Sequence, residues 1–194
     1  MIYKLMDYSY QKEFQEALER TKRLGFTIPK WKFNDRLLRS KDSIEKISNT
    51  LMNFLRYHDM SFEDLSAQCI AVHTKISEII TQVISCNALV TIGWFYDENI
   101  NDSLYKFTEE EFKSWMSNEL QAFQGSDVHV WITLDSGEVI DFTLLTTIGK
   151  INGMFKPGSV LMARPEKSEC FIKYHPMVVG KEAVFRAFGS WFLV

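Results

Sequence analysis

DVHVWITLDSGEVIDFT, residues 127–143, is the stretch on which the fold turns. Two runs that alternate apolar and polar side chains flank Asp135-Ser136-Gly137, the pattern of a β-hairpin. Alternation places Val128, Val130, Ile132 and Leu134 on one face and His129, Trp131 and Thr133 on the other. The turn then decides where Asp141 points. A three-residue loop, a type I turn followed by a left-handed residue, takes glycine last, and Gly137 stands there. That loop pairs Leu134 with Glu138, Trp131 with Asp141 and His129 with Thr143. His129 and Asp141 become diagonal neighbours, with Cβ atoms roughly 7–8 Å apart. A two-residue loop, or a four-residue one from Asp135 to Glu138, would slip the register and turn Asp141 to the opposite face.

A histidine held by an aspartate is half of a nucleophilic site, because the carboxylate fixes the tautomer and steadies the imidazolium. The best-placed nucleophile elsewhere in the chain is Cys69, which follows Gln68 near the start of an apolar helix. Helix starts favour thiolate and offer N–H groups to an oxyanion. Cys69 also falls on the stripe of Leu65, Val72 and Ile76, where a small buried cysteine needs no function. His73, four residues on, shares its helix face, as a Cys–His pair or two metal ligands would. No second ligand pair has zinc spacing, so no metal site is expected. Cys86 and Cys170 lack a comparable setting, and no G-x-S-x-G marks a serine nucleophile.

Composition narrows the classes. A net charge of −3 argues against a bulk field for nucleic acid or membrane, and 14% aromatic residues suit a packed core. Three scattered cysteines form neither a disulfide framework nor a CxxC site and suggest a reducing compartment. The N-terminus MIYKLMDYSYQKEF has no apolar signal region, and no apolar run reaches the ~18 residues of a membrane span. A cytoplasmic protein is the expectation.

Along the chain, helices are expected over Tyr10–Leu24, closed by Gly25, and from about Asp42 to Tyr57 on the stripe Ile44, Ile47, Leu51, Phe54, Leu55. Between them, Arg20–Lys41 carries eight basic residues against Asp35, a solvated face or an anion-binding one. The central helix begins at Ser61 (with Asp64 as capping partner) or at Ser66. Asn87–Tyr96 reads as a strand, Asp97–Ser103 as a loop, and Thr108–Phe123 as a helix with a Thr108/Glu111 capping box. Gly149, Gly153, Pro157 and Gly158 mark a turn-rich passage. Strands near Ser159–Ala163 and Cys170–Tyr174 and a helix over Lys181–Phe188 follow. Helices first and strands later predict an α+β domain with an antiparallel sheet.

Gln68-Cys69, His129-Val130-Trp131 and Asp141-Phe142-Thr143 resemble, in order, element type and separation, three motifs of the transglutaminase-like superfamily, which has the papain-like cysteine protease fold. Those motifs are Q-C at a helix start, H-V-W or H-A-W on one strand, and D-x-T or D-x-x on the next. The resemblance covers Gln68 to Thr143. It implies Cys69 as nucleophile, His129 as base and Asp141 as orienting carboxylate, with Gln68 beside the oxyanion and Trp131 against substrate. Ala67-Gln68-Cys69-Ile70 departs from the G-Q-C-W of large transglutaminases. The R-G-G-x-C of arylamine acetyltransferases and the D-C-S-G of cell-wall peptidases are absent. The matched stretch implies no calcium and no other cofactor.

The expectation is therefore one papain/transglutaminase-like α+β domain, 1–194. A Cys69 helix packs on an antiparallel sheet (61–194) under an N-terminal helical cap (1–60). Its expected chemistry is thiol-dependent acyl transfer or hydrolysis on a peptide, a protein side-chain amide or a small acyl substrate. The competing expectation is an inactive interaction module that keeps the fold and uses the basic run. A buried Cys69, or an Asp141 facing the core, would favour that alternative.

Overall fold

The computed structural model describes residues 8–38, 40–117, 128–167 and 169–189. Arg39, residues 118–123 of the Thr108 helix, and Asp127 fall outside them. The elements are α1 (Tyr10–Arg23), α2 (Lys41–Tyr57), a 3-10 turn (Glu63–Leu65), α3 (Cys69–Val83), β1 (Ala88–Asp97), β2 (Asp102–Leu104) and α4 (Glu109–Ser117). They continue with β3 (His129–Leu134), β4 (Val139–Asp141), α5 (Leu144–Asn152), β5 (Leu161–Ala163), β6 (Ile172–Val179) and α6 (Lys181–Phe188). The protein is α+β, with a curled, wholly antiparallel sheet.

β1 is the spine of that sheet. It pairs with β3 along one edge, with β6 along the other, and with the short β2 at its far end. β4 and β5 extend the sheet beyond β3. The hairpin takes the three-residue register: Ile132 faces Ile140, Thr133 faces Val139, and the Leu134 N–H donates to the Glu138 carbonyl at 2.8 Å. Gly137 is left-handed at φ 76°, as that loop requires.

Pleating sorts the side chains into separate cores. Ile132, Leu134, Ile140 and Phe142 pack with α2 and α3, and Val90, Ile92, Val130 and Val178 with α6. From the opposite face, Trp131, Val139, Phe95 and Tyr174 meet Tyr10, Phe14, Ala17 and Leu18 of α1. The N-terminal helices, expected as a cap, divide between the two faces. α1 and α2 lie on opposite faces of the sheet, each supplying one layer of core, because each buries one apolar stripe and the sheet has two faces to cover. Ile44 lies off the buried stripe of α2, at 49% exposure. Arg20 and Arg23 of the basic run are ion-paired to Glu109 at 3.5 and 3.3 Å, so part of that charge is neutralised within the fold.

Other differences have local causes. The passage with Gly149 begins as the helix α5, and its turns come after it, at Gly153 and Pro157–Gly158. Gly149 lies inside the helix, where a Cβ would come within 2.3 Å of the Phe155 carbonyl oxygen, so it serves close backbone approach. The expected loop after Asp97 includes β2, and the strand expected near Cys170–Tyr174 runs on to Val179 through Pro176. Pro176 is tolerated beside a register shift at Ile92/Gly93, since proline cannot donate to the ladder. The Thr108/Glu111 capping box is reciprocal, at 2.7 and 3.2 Å. No helix among the described residues is long and apolar enough to cross a membrane.

Gly93 pairs with His129 and sits where β6 and the Trp131 ring close on β1. An added Cβ would lie 2.2 Å from the His175 carbonyl oxygen and 2.7 Å from the Trp131 ring. Gly93→Ala should cost about 2–3 kcal/mol, read as a lower urea midpoint at unchanged m-value. A wild-type midpoint would mean that β6 yields without cost.

Candidate active site

Asp141 ends β4 immediately before α5 and is fully buried. Its Oδ1 accepts the Thr143 and Leu144 backbone N–H groups, both at 3.0 Å, and the Thr143 hydroxyl at 3.2 Å. The carboxylate therefore sits at the start of α5, where unpaired N–H groups and the helix dipole favour negative charge. Oδ2 points the other way. It lies 2.6 Å from His129 Nε2 and accepts the Tyr174 hydroxyl at 2.9 Å. Burial alone would raise the carboxyl; the charge and hydrogen bond of His129, with His73 and the Leu144 N–H, outweigh it and hold Asp141 well below the usual carboxylate range. For His129 the balance runs the same way. Burial disfavours the imidazolium, but the charge and hydrogen bond of Asp141, reinforced by Cys69, raise it to about 10.

With Nε2 committed to Asp141, Nδ1 is the His129 nitrogen left for other partners, and Cys69 is among the groups that raise this imidazole. Cys69 is the first residue of α3 and packs with Val128 and Val130 at the beginning of β3, where the Val128 carbonyl lies 4.0 Å from its sulfur. It is buried, at 9% exposure, as the interaction-module alternative expects. Cys69 and His129 line one small cavity of about 180 Å³, together with Ala67, Tyr105, Thr143 and Thr147 among others. Its backbone N–H belongs to the first turn of a 15-residue helix, whose leading N–H groups have no partner within the helix. The central helix thus starts at neither Ser61 nor Ser66. Ser61 and Asp64 bond each other at 2.7 Å around the 3-10 turn, and the chain re-enters helix at Cys69.

Ala67, two residues before the thiol, is left-handed at φ 60°. The resembled motif carries glycine here, for which this conformation is free of the Cβ penalty. The Thr147 hydroxyl of α5 accepts the Ala67 N–H at 3.2 Å, tying the turn before the cysteine to the helix that caps Asp141.

Sequence reasoning placed Cys69, His129 and Asp141 together, and the structure brings them together. It does not bring Gln68 or Trp131 to them. Gln68 holds the N-cap position with an exposed side chain that makes no capping bond and lies outside the cavity lining. Trp131 has 0% exposure, and its indole N–H donates to the Tyr10 hydroxyl at 2.7 Å. A substrate role for Trp131 is overturned by depth: α1 covers the face that alternation left open to solvent. Burial of Asp141 is directed at His129 rather than at apolar core. Among the described residues no group of three or more His, Cys, Asp or Glu side chains could hold a metal.

Tyr174 carried no signal in the sequence, and His73 carried one only through its spacing from Cys69. Tyr174 reaches Asp141 from β6, and burial first, then the Asp141 charge, raises its phenol and keeps it a donor. His73 Nδ1–H donates to the Cys69 carbonyl at 2.8 Å, and its Nε2 accepts the Phe142 N–H at 2.9 Å. That is the neutral tautomer with both nitrogens used, so its 3.5 Å approach to Asp141 is not an ion pair. The expected Cys–His pair along α3 is instead a strut between the backbones of Cys69 and Phe142.

Comparisons with protein families, with curated proteins and with solved structures find no match.

Burial, the largest influence, lowers the His73 pKa to about 4, with Asp141 opposing and His129 assisting. A histidine depressed in the fold contributes stability that is whole above its unfolded value of about 6.5 and is lost as pH falls toward the folded value. Through that window His129 stays charged and Asp141 ionised. Chemical denaturation should show stability falling by about 2 kcal/mol from about pH 7 to pH 5 on account of His73. In His73→Gln that portion of the slope should vanish. An equal slope in both proteins would mean that His73 is already charged in the fold.

Proposed function

We propose that this protein is a cysteine-dependent acyl-transfer or hydrolytic enzyme of the transglutaminase-like, papain-fold kind, acting through Cys69, His129 and Asp141. The observation that carries the reading is the 2.6 Å contact between His129 Nε2 and Asp141 Oδ2, with Cys69 and His129 lining the same small cavity. The reacting form is the pair in which the Cys69 proton already rests on His129, whose imidazolium Asp141 stabilises. The sulfur attacks the carbonyl carbon of an amide or ester, and the oxyanion is received by the Cys69 N–H at the start of α3. Collapse expels the amine or alcohol, which takes its proton from His129 and leaves a thioester on Cys69. His129 then accepts a proton from water or an amine as that nucleophile attacks, and the thiol is regenerated. Tyr174 and Thr143 hold the carboxylate, and His73 holds the backbones that carry nucleophile and carboxylate. Gln68 and Trp131 have no part in the reading.

Reactivity of the thiols tests this without a known substrate. Alkylation of the folded protein at about pH 6, well below the ~8.5 of an ordinary thiol, should modify Cys69 first, as read by peptide mass mapping. Cys86 should lag, because burial and the charge of Asp135 push its thiol up to about 12. His129→Ala and Asp141→Asn should each slow Cys69 by about tenfold or more, and the unfolded chain should show no preference. If Cys69 is the slowest thiol in the folded protein, it is a core residue at the start of α3, and the interaction-module alternative is the one left standing.

A further inference from the structure

Two walls of the Cys69 cavity are built from residues in a backbone conformation that side chains avoid. Ala67 is left-handed at φ 60° on the α3 side, and Tyr105 at φ 62° stands just after β2. For a bulky aromatic residue this is a genuine outlier, and such strain persists only where surrounding contacts over-determine it. At Tyr105 those contacts are aromatic. Its ring stacks on His129 with centroids 5.7 Å apart and planes at 22°, and packs on Phe95 at 5.6 Å and 56°. A relaxed backbone here would swing the ring off the imidazole and open the cavity on that side. The cavity is small and partly open, about 180 Å³ against the 300 Å³ or more of common ligand pockets. Among the described residues its lining contains no Asp, Glu, Lys or Arg, and its imidazole, His129, is already matched by Asp141.

We propose that Tyr105 is the specificity-determining residue of this site: its ring, held over His129, confines the reacting acyl group to one that is small and uncharged. The inference rests on the acyl-transfer reading and adds the class of substrate. A bulky acyl group meets the tyrosine ring before its carbonyl reaches Cys69. A charged one enters a cavity without a counter-ion and forfeits its hydration. The remainder of the substrate stays outside the cavity.

The test uses three alkylating agents on the full chain: iodoacetamide, iodoacetate and N-benzyl iodoacetamide. In each, a Cys69 sulfur–carbon bond forms as the carbon–iodine bond breaks and iodide leaves. Rates at Cys69 are divided by those of the unfolded chain, which removes intrinsic reactivity. Wild type and Tyr105→Phe should favour iodoacetamide over each of the other two by about tenfold or more, the discrimination a shaped pocket can supply. Tyr105→Gly suits the left-handed backbone, so the fold is kept while the wall is lost, and the benzyl reagent should come within about threefold of iodoacetamide. If Tyr105→Gly keeps the wild-type size ratio while Cys69 remains the fastest thiol, the assignment to Tyr105 is wrong and the acyl-transfer reading stands. If wild type takes iodoacetate as readily as iodoacetamide, the charge selection is wrong. If Cys69 is the slowest thiol in every variant, both fall.

Discussion

A buried carboxylate must be matched by donors, and in this protein that requirement joins three separate parts of the chain. Taking the Asp141 charge out of water carries a penalty of several kcal/mol. The start of α5 supplies two N–H groups and a hydroxyl, β6 supplies the Tyr174 phenol, and β3 supplies His129. These partners converge only if β4 is in the three-residue register, if α5 begins directly after Asp141, and if β6 lies on the correct side of β1. A slip of one residue in the hairpin would put Asp141 among Ile140 and Phe142 on the α3 face, with none of them.

The Cys69 side of the cavity is held by the same connections. His73 links the Cys69 carbonyl to the Phe142 N–H, and Thr147 links Ala67 to α5. The first turn of α3 is thus fastened at two points to the segment that presents Asp141. Movement of α3 relative to the hairpin would break bonds at His73 and Thr147 before it separated Cys69 from His129. These contacts also account for Ala67 tolerating a conformation that costs about 1–2 kcal/mol without glycine.

Much of this was legible in the sequence because its causes are local. Gly137 at the end of a three-residue loop fixes the hairpin register, and with it the approach of Asp141 to His129. Gly25 after α1, the Thr108/Glu111 box and the amphipathic run Lys181–Phe188 likewise announce elements within a few residues of themselves. What stayed hidden is non-local. Alternation says which face Trp131 takes but not how deep that face lies, and α1, over a hundred residues earlier, is what buries it. Tyr174 looks ordinary in its own segment, and the spacing that marks His73 beside Cys69 does not show that it braces Phe142, since both roles come from elements met only after folding. Gly149 looks like a helix breaker because propensity alone cannot show that Phe155 must pass within reach of it.

The composition of this buried cluster is itself an argument. If the interior beneath β3 were needed only for stability, apolar side chains of similar volume would serve as well, since replacing a buried ion pair with hydrophobic residues is often neutral or stabilising. Instead the chain keeps an ionised aspartate, an imidazole raised by it and a second, neutral histidine, with a thiol at the edge of a cavity. Their pKa values are driven in opposite directions: Asp141 down, His129 up, His73 down. Perturbed titrating groups gathered at a cavity are what proton-transfer chemistry uses, whereas a purely structural network has no need of the thiol or the opening. The strain at Tyr105 and Ala67 lies on the walls of that same opening. Backbone strain, opposed pKa shifts and a thiol on a small cavity therefore fall at one place, and it is their coincidence, more than any one of them, that favours the proposed chemistry over an inert core.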